Sequence, residues 1–102
     1  MSDRLTQIRA LLEKEPQDVF LHYSLGKELA SAGQTDDAIR AFTECTRLDQ
    51  TYLPAYVEMG KCYRSAGRLT EARDVLEKAL NVAQTKGEQH TADNIRQQLE
   101  GL

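Results

Sequence analysis

The sequence contains no tryptophan, only two prolines and only two cysteines, and it has no excess of positive charge. The two cysteines do not have the spacing of metal ligands, so we expect no disulfide scaffold and no metal site. Unpaired thiols favour a reducing compartment. The formal net charge of −3 at pH 7 gives no basic surface for a phosphate backbone. The protein is therefore not expected to bind nucleic acid.

Long apolar segments are also missing. No run approaches the roughly 20 apolar residues that a membrane-spanning helix needs. The first four residues, Met1 to Arg4, lack the basic region and the apolar core of a signal peptide. These absences predict a cytoplasmic protein that does not bind membranes.

Catalytic signatures are absent as well. The sequence has no His-Glu-x-x-His motif, no nucleophile elbow and no phosphate-binding loop. His22 is expected to be a packed histidine with a hydrogen-bonded ring nitrogen, and His90 a surface residue. Cys45 and Cys62 are expected to behave as small buried side chains. We therefore predict no enzyme activity and no cofactor.

The sequence does contain an internal repeat with a period of 34 residues. At this offset Gly26 matches Gly60, and Lys27 matches Lys61. The tripeptide Ser-Ala-Gly that ends at Gly33 matches an identical tripeptide 34 residues later. A period between 20 and 50 residues is typical of repeat architectures. A length of 102 residues with 40% apolar residues suits one domain.

The repeat follows a known pattern, in which a large residue, Leu-Gly and a second large residue on one helix precede Ala-x-x-x-Phe on the next. At these positions the first copy has His22, Leu25, Gly26, Leu29, Ala38 and Phe42. The second copy has Tyr56, Met59, Gly60, Tyr63, Ala72 and Leu76. The chain therefore resembles the tetratricopeptide repeat family. This resemblance implies an all-α fold of stacked antiparallel helical hairpins and a role in protein–protein interaction.

Apolar periodicity and helix-terminating residues predict six helices. They cover about residues 3–14, 18–32, 36–48, 53–66, 71–86 and 88–100. The expected N-terminal caps are Ser2 or Asp3 for the first helix, Thr35 with Asp36 for the third, and Thr70 for the fifth. Gly26 and Gly60 lack a Cβ atom, so we expect a neighbouring helix to approach each of them closely.

One tetratricopeptide repeat domain, 1–102, is predicted to divide into four parts. An N-terminal half-repeat helix (1–18) is followed by two repeats (19–52 and 53–86) and a C-terminal capping helix (87–102). The capping helix is expected to be polar because one of its faces has no neighbouring repeat.

The first helix of each stacked hairpin lines an inner, concave surface. The candidate peptide-binding residues on this surface are Phe20, Tyr23, Lys27, Val57, Lys61 and Arg64. Further groove positions are Ala30, Ser31, Pro54, Ser65, Glu88, Thr91 and Ile95. Aromatic area beside three cations suits a peptide or helix of a protein partner with acidic and apolar residues. The alternative interpretation is a solvated face that carries two incidental aromatic side chains.

The family resemblance also bears on the kind of partner. Chaperone-binding tetratricopeptide domains hold the C-terminal carboxylates of a partner with a clamp of lysine and asparagine side chains. This sequence has Tyr23 and Lys27 on the first inner helix, and Glu58 where the second asparagine of the clamp belongs. A glutamate would repel a carboxylate, so we do not expect this chain to bind chaperone tails.

Two other functions stay open at this point. The first helix has no hairpin partner in the repeat register, so its stripe of Leu5, Ile8 and Leu12 is predicted to be partly exposed and available to a second copy. The protein is accordingly expected to be a monomer or a weak homodimer. A ligand site or enzyme centred on His22 and Tyr23 would need a pocket of several hundred cubic ångströms, whereas a short stack predicts a shallow groove.

Overall fold

A computed structural model describes residues 3–102 and contains six α-helices in this range, with no β-strand. The helices are α1 (Asp3–Lys14), α2 (Val19–Ser31), α3 (Thr35–Leu48), α4 (Leu53–Ser65), α5 (Leu69–Lys86) and α6 (Gln89–Glu100). The all-α fold is therefore confirmed, and the predicted helices agree with these bounds to within one or two residues. The possible cap Ser2 lies outside the described residues.

The helix N-termini differ from the predicted capping pattern. Thr35 and Thr70 were predicted to precede their helices, but both lie inside them. The reason is that the carbonyl oxygen of Gln34 already accepts a helical hydrogen bond from Ala38 N, at 3.0 Å. Among the N-terminal caps within residues 3–102, Asp18 does act through its side chain: its Oδ1 accepts a hydrogen bond from Leu21 N at 3.0 Å and thereby fixes the start of α2.

Each helix packs against its neighbours in the chain, and two antiparallel hairpins form the centre of the stack. Helix α2 packs on α3, and α4 packs on α5, while α1 covers α2 and α6 covers α5. The hairpin turns are tight because Gly33 and Gly67 adopt positive φ angles of 78° and 75°, which other residues rarely adopt. This order places α2, α4 and α6 along one side of the molecule.

The core consists of two apolar clusters. The first joins α1 to α4 through Leu5, Leu29, Ala38, Ile39, Ala41, Phe42, Cys45, Ala55, Met59 and Cys62. The second joins α4 to α6 through Leu53, Leu76, Ala79, Ala83, Ala92 and Ile95. Helix α4 contributes to both clusters, so it connects the two halves of the stack.

The two repeated glycines lie at close helix–helix contacts, as predicted. A Cβ atom on Gly26 would lie only 2.5–2.7 Å from ring atoms of Phe42, which is fully buried. A Cβ atom on Gly60 would lie 2.7 Å from Cδ2 of Leu76. No real Cβ atom tolerates such distances, so glycine allows the two helices of each hairpin to approach.

Most of the stripe on the first helix that was predicted to be partly exposed is buried. Leu5 and Ile8 are buried, with only 6% and 8% of their surface exposed, because both pack against α2. Leu12 is half-buried. The exposed large apolar side chain of α1 is instead Leu11, at 49%.

Candidate functional site

The inner helices α2, α4 and α6 border an open groove with a volume of about 420 Å³. Its lining residues are Tyr23, Leu53, Pro54, Val57, Glu58, Glu88, His90, Thr91 and Asn94. We call this the inner groove. Leu53, Pro54 and Val57 give it an apolar floor along the first turns of α4, while α6 contributes polar side chains.

Tyr23 forms a fixed wall of the inner groove. Its ring lies 5.8 Å from the ring of Phe42 and 5.6 Å from the ring of Tyr52, measured between centroids. Burial raises the pKa of the Tyr23 hydroxyl, and the nearby Glu58 carboxylate raises it further. Tyr23 is therefore half-buried between the core and the groove and does not project freely into solvent.

Two of the three predicted cations share one carboxylate. Glu58 Oε2 lies 3.6 Å from Lys27 Nζ and 3.4 Å from Lys61 Nζ. Only 16% of the Glu58 side chain is exposed, whereas the lysine side chains are 49% and 60% exposed. The three groups carry a net charge of +1 and form a cluster, which we call the lysine–glutamate cluster. The glutamate that was predicted to repel a carboxylate is thus held between two lysines.

Arg64, one turn after Lys61 on α4, is exposed and forms no ion pair with another described residue. Its Nη2 lies 3.7 Å from the position that a Cβ atom on Gly101 would occupy, so the guanidinium group is close to the end of α6. Arg64 therefore adds a second accessible positive charge beyond the lysine–glutamate cluster.

The structure does not bring all the predicted groove residues together. Phe20 is 64% exposed but lies in a separate cleft between α1 and α2. Ile95 is completely buried in the second core cluster, so its assignment to the groove is wrong: α6 turns this side chain towards α5. Tyr23, Pro54, Val57, Glu88 and Thr91 do line the inner groove.

Sequence reasoning did not select Leu53, His90 and Asn94 as groove residues. His90 is exposed, as predicted, but it stands on the groove side of α6. The signal that could have found His90 and Asn94 is the apolar stripe of Ala92 and Ile95. Because this stripe faces the core, it fixes which polar residues of α6 can face α4.

The remaining titratable candidates are a hydrogen-bonded histidine and two buried thiols. His22 Nε2 lies 2.8 Å from the carbonyl oxygen of Pro16, to which it donates a hydrogen bond. Cys45 and Cys62 are buried and unpaired, as predicted. Burial raises the pKa of the Cys45 thiol to about 12 and also raises the pKa of Cys62. Neither thiol is therefore a ready nucleophile.

Residues 3–102 contain no cluster of three or more histidine, cysteine or acidic side chains that could hold a metal ion. No helix in this range is both long and apolar enough to span a membrane.

Comparison with known proteins identifies the family of this helical stack. A profile of the tetratricopeptide repeat matches residues 29–92. The chain belongs to the tetratricopeptide repeat (TPR) family. This TPR chain is 30% identical over 81 residues to a TPR repeat-containing protein of Pseudomonas aeruginosa, in an alignment that covers 79% of this chain and 77% of that protein.

Other relatives are far longer than this TPR chain. It is 28% identical over 82 residues to anaphase-promoting complex subunit 3 of Dictyostelium discoideum, which covers 80% of the chain but only 8% of that protein. The TPR unit is therefore a small part of some relatives and most of others.

Solved structures share the fold. The solution structure of a protein from Bordetella parapertussis has a TM-score of 0.84 and 27% identity, and the match covers 98% of this TPR chain and 87% of that chain. The crystal structure of PcrH in complex with the chaperone binding region of PopD has a TM-score of 0.88 at 18% identity, covering 95% and 74%. At this identity the second match shows the fold alone. TPR proteins are generally non-catalytic, and membership supports a protein–protein interaction module.

Proposed function

We propose that this TPR protein is a non-enzymatic adaptor that binds an extended or helical segment of a protein partner in the inner groove. The observation that carries the proposal is the groove itself, a cavity of about 420 Å³ bordered by all three inner helices. Its floor of Leu53, Pro54 and Val57 offers apolar area, which supplies much of the free energy of association. The crystal structure of PcrH in complex with the chaperone binding region of PopD supports the proposal, because a protein of this fold there binds a segment of another protein.

The charges around the inner groove suit a partner that combines apolar and acidic residues. Lys27, Lys61 and Arg64 lie towards the C-terminal ends of α2 and α4, beyond the apolar floor. A single carboxylate, Glu58, neutralises only part of this charge. An acidic side chain of the partner can therefore pair with exposed cations while its apolar side chains contact Val57 and Tyr23.

The proposed unit is one TPR domain with the division that the repeat predicts. Residues 19–52 and 53–86 form two hairpins, 1–18 supply a preceding half-repeat helix, and 87–102 supply a capping helix. In this arrangement α6 has a second task besides covering the core, since Glu88, His90 and Thr91 border the groove.

The test compares partner capture by the wild-type protein and by a groove variant, Lys61→Glu with Arg64→Glu, which reverses two charges that lie beside the inner groove and not in its lining. Extract of the source cell is passed over each immobilised protein, and the affinity of a captured partner is then measured in low and high salt. We expect the groove variant to bind at least roughly tenfold more weakly, and high salt to weaken wild-type binding, because the contacts are electrostatic and exposed.

The matched control is Arg73→Glu with Lys78→Glu, which makes the same charge change on exposed positions of α5. This control should bind the partner like the wild type, apart from a small long-range effect. If the groove variant and the control bind equally well, the cations beside the inner groove do not contact the partner, and the proposed binding surface is wrong.

A further inference from the structure

A second cleft lies on the side of α2 that faces α1. It exposes two large apolar side chains near the N-terminus of the protein. It lies between α1 and α2, has a volume of about 310 Å³, and we call it the end cleft. Its lining residues are Arg4, Gln7, Ile8, Leu11, Phe20, Leu21 and Ser24. Leu11 is 49% exposed and Phe20 is 64% exposed. Apolar exposure of this kind on one cleft marks an interaction surface.

The 34-residue period indicates which kind of structural element would pack into the end cleft. The residues 34 and 68 positions after Leu11 are Cys45 and Ala79, and both are fully buried. Cys45 is covered by the inner helix of its own hairpin: its thiol donates to the carbonyl oxygen of Val19 in α2, at 3.5 Å. Leu11 occupies the corresponding place on α1, where no helix of the described residues covers it. The end cleft therefore lies at the position where an inner helix packs in the two complete hairpins.

The same period predicts one residue of a helix that would pack into the end cleft. Ile8 corresponds to Phe42 and Leu76, which contact Gly26 and Gly60 of the helices that cover them. In both hairpins a Cβ atom at the glycine would come within 2.7 Å of the facing side chain. A helix that enters the end cleft to the same depth therefore needs a glycine or another small residue over Ile8.

The charges around the end cleft predict the charge of a helix that would bind there. The cleft continues into a cavity lined by Gln7, Ala10, Leu11 and Lys14, and none of the residues that line either cavity is acidic. Arg4 stands where the complete hairpins have the buried Ala38 and Ala72. Its Nε lies 3.5 Å from Glu28, but 72% of its side chain stays exposed. A second copy would bring the same basic side chains together, so an acidic partner fits better.

We propose that the end cleft is a second docking site, separate from the inner groove, for an acidic amphipathic helix of a partner protein. The helix completes the hairpin of α1 in the way that α2 and α4 complete those of α3 and α5. It places apolar side chains on Leu11 and Phe20, a small residue over Ile8, and carboxylates beside Arg4 and Lys14.

The test uses a peptide made from the chain itself, because α4 is an inner helix with Gly60 at the required position. The probe is the segment 51–67 with Cys62→Ser, and with Lys61→Glu and Arg64→Glu to make it acidic. Binding to the full-length protein is followed by NMR amide shifts. We expect shifts in α1 and in the first half of α2, and roughly tenfold weaker binding when the protein carries Leu11→Glu or the peptide carries Gly60→Leu.

Two controls separate this site from the inner groove and from self-association. A protein with Lys61→Glu and Arg64→Glu should keep the shifts in α1 and the first half of α2 at the wild-type affinity, since its end cleft is unchanged, while any shifts at the inner groove should weaken. Shifts confined to α4 and α6, or no shifts at millimolar peptide, would overturn the proposal and leave the proposed role of the inner groove intact. Sedimentation of the protein alone supplies the last outcome: self-association that Leu11→Glu abolishes would make a second copy the occupant and overturn the acidic-helix proposal.

Discussion

At the scale of single residues, the two glycines of the repeat determine how closely the helices of each hairpin pack. Gly26 and Gly60 lie in helix interiors, where glycine costs about 1 kcal/mol relative to alanine. The structure shows the compensation, because Phe42 and Leu76 occupy the space that a Cβ atom would need. The intrinsic cost to the helix is thus offset by packing between helices.

Gly26→Ala tests this compensation. The added methyl group would overlap the fully buried ring of Phe42, so we expect the free energy of unfolding to fall by about 1–3 kcal/mol, although alanine is the better helix former. Urea unfolding followed by circular dichroism measures the change. The control is Gly101→Ala, where the nearest atom would lie at an ordinary 3.6 Å. A Gly26→Ala protein as stable as wild type would contradict the close contact.

At the scale of helices, the sequence was sufficient to predict the existence, order and type of all six, because each carries an apolar stripe with a helical period. The exact starts of α3 and α5 were missed by one or two residues. Threonine before an apolar run is a common cap. Here the caps are instead Gln34, one residue before Thr35, and Arg68, two residues before Thr70, and neither forms a side-chain cap hydrogen bond. The backbone geometry of the tight turn determines where these two helices start, and residue propensities do not encode that geometry.

Helix α6 is the element whose orientation was hardest to predict from the sequence. Its narrow stripe permitted Ile95 to be assigned both to the core and to the groove. The structure buries Ile95 completely and turns His90 and Asn94 towards α4. Few apolar residues leave the rotation of a helix about its axis poorly defined, so only contact with α5 settles which face is covered.

Ile95→Ala tests whether α6 holds the second core cluster together. Removal of a completely buried side chain leaves a cavity beside Leu76 and Leu53, so we expect a loss of about 2–5 kcal/mol in the free energy of unfolding. Thermal and urea unfolding both measure it. Gln97→Ala changes an exposed position of the same helix and should alter stability by no more than about 0.5 kcal/mol. Equal stability of the two variants would mean that α6 is an appendage of the stack.

At the scale of the whole molecule, one surface exposes positive side chains although the chain as a whole is negative. The chain carries a net charge of −3, but the inner helices expose Lys27, Lys61 and Arg64 on one surface. The sequence predicted these cations at this surface. It did not predict that Glu58 pairs with a lysine on its own helix and with another on α2, because the second distance depends on how α2 and α4 are positioned.

Glu58→Gln tests the sign of the partner's charge in the inner groove. The change keeps the shape of the side chain but releases Lys27 and Lys61 from a shared carboxylate, so an acidic partner gains attraction. We expect roughly two- to fivefold tighter binding, equivalent to about 0.5–1 kcal/mol, which is the range of exposed ion pairs. High salt should remove most of this gain. Glu77→Gln, an equal charge change on the exposed face of α5, is the control and should leave the affinity almost unchanged. Weaker binding by Glu58→Gln would mean that the carboxylate itself contacts a basic partner, and the charge assigned to the groove would be reversed.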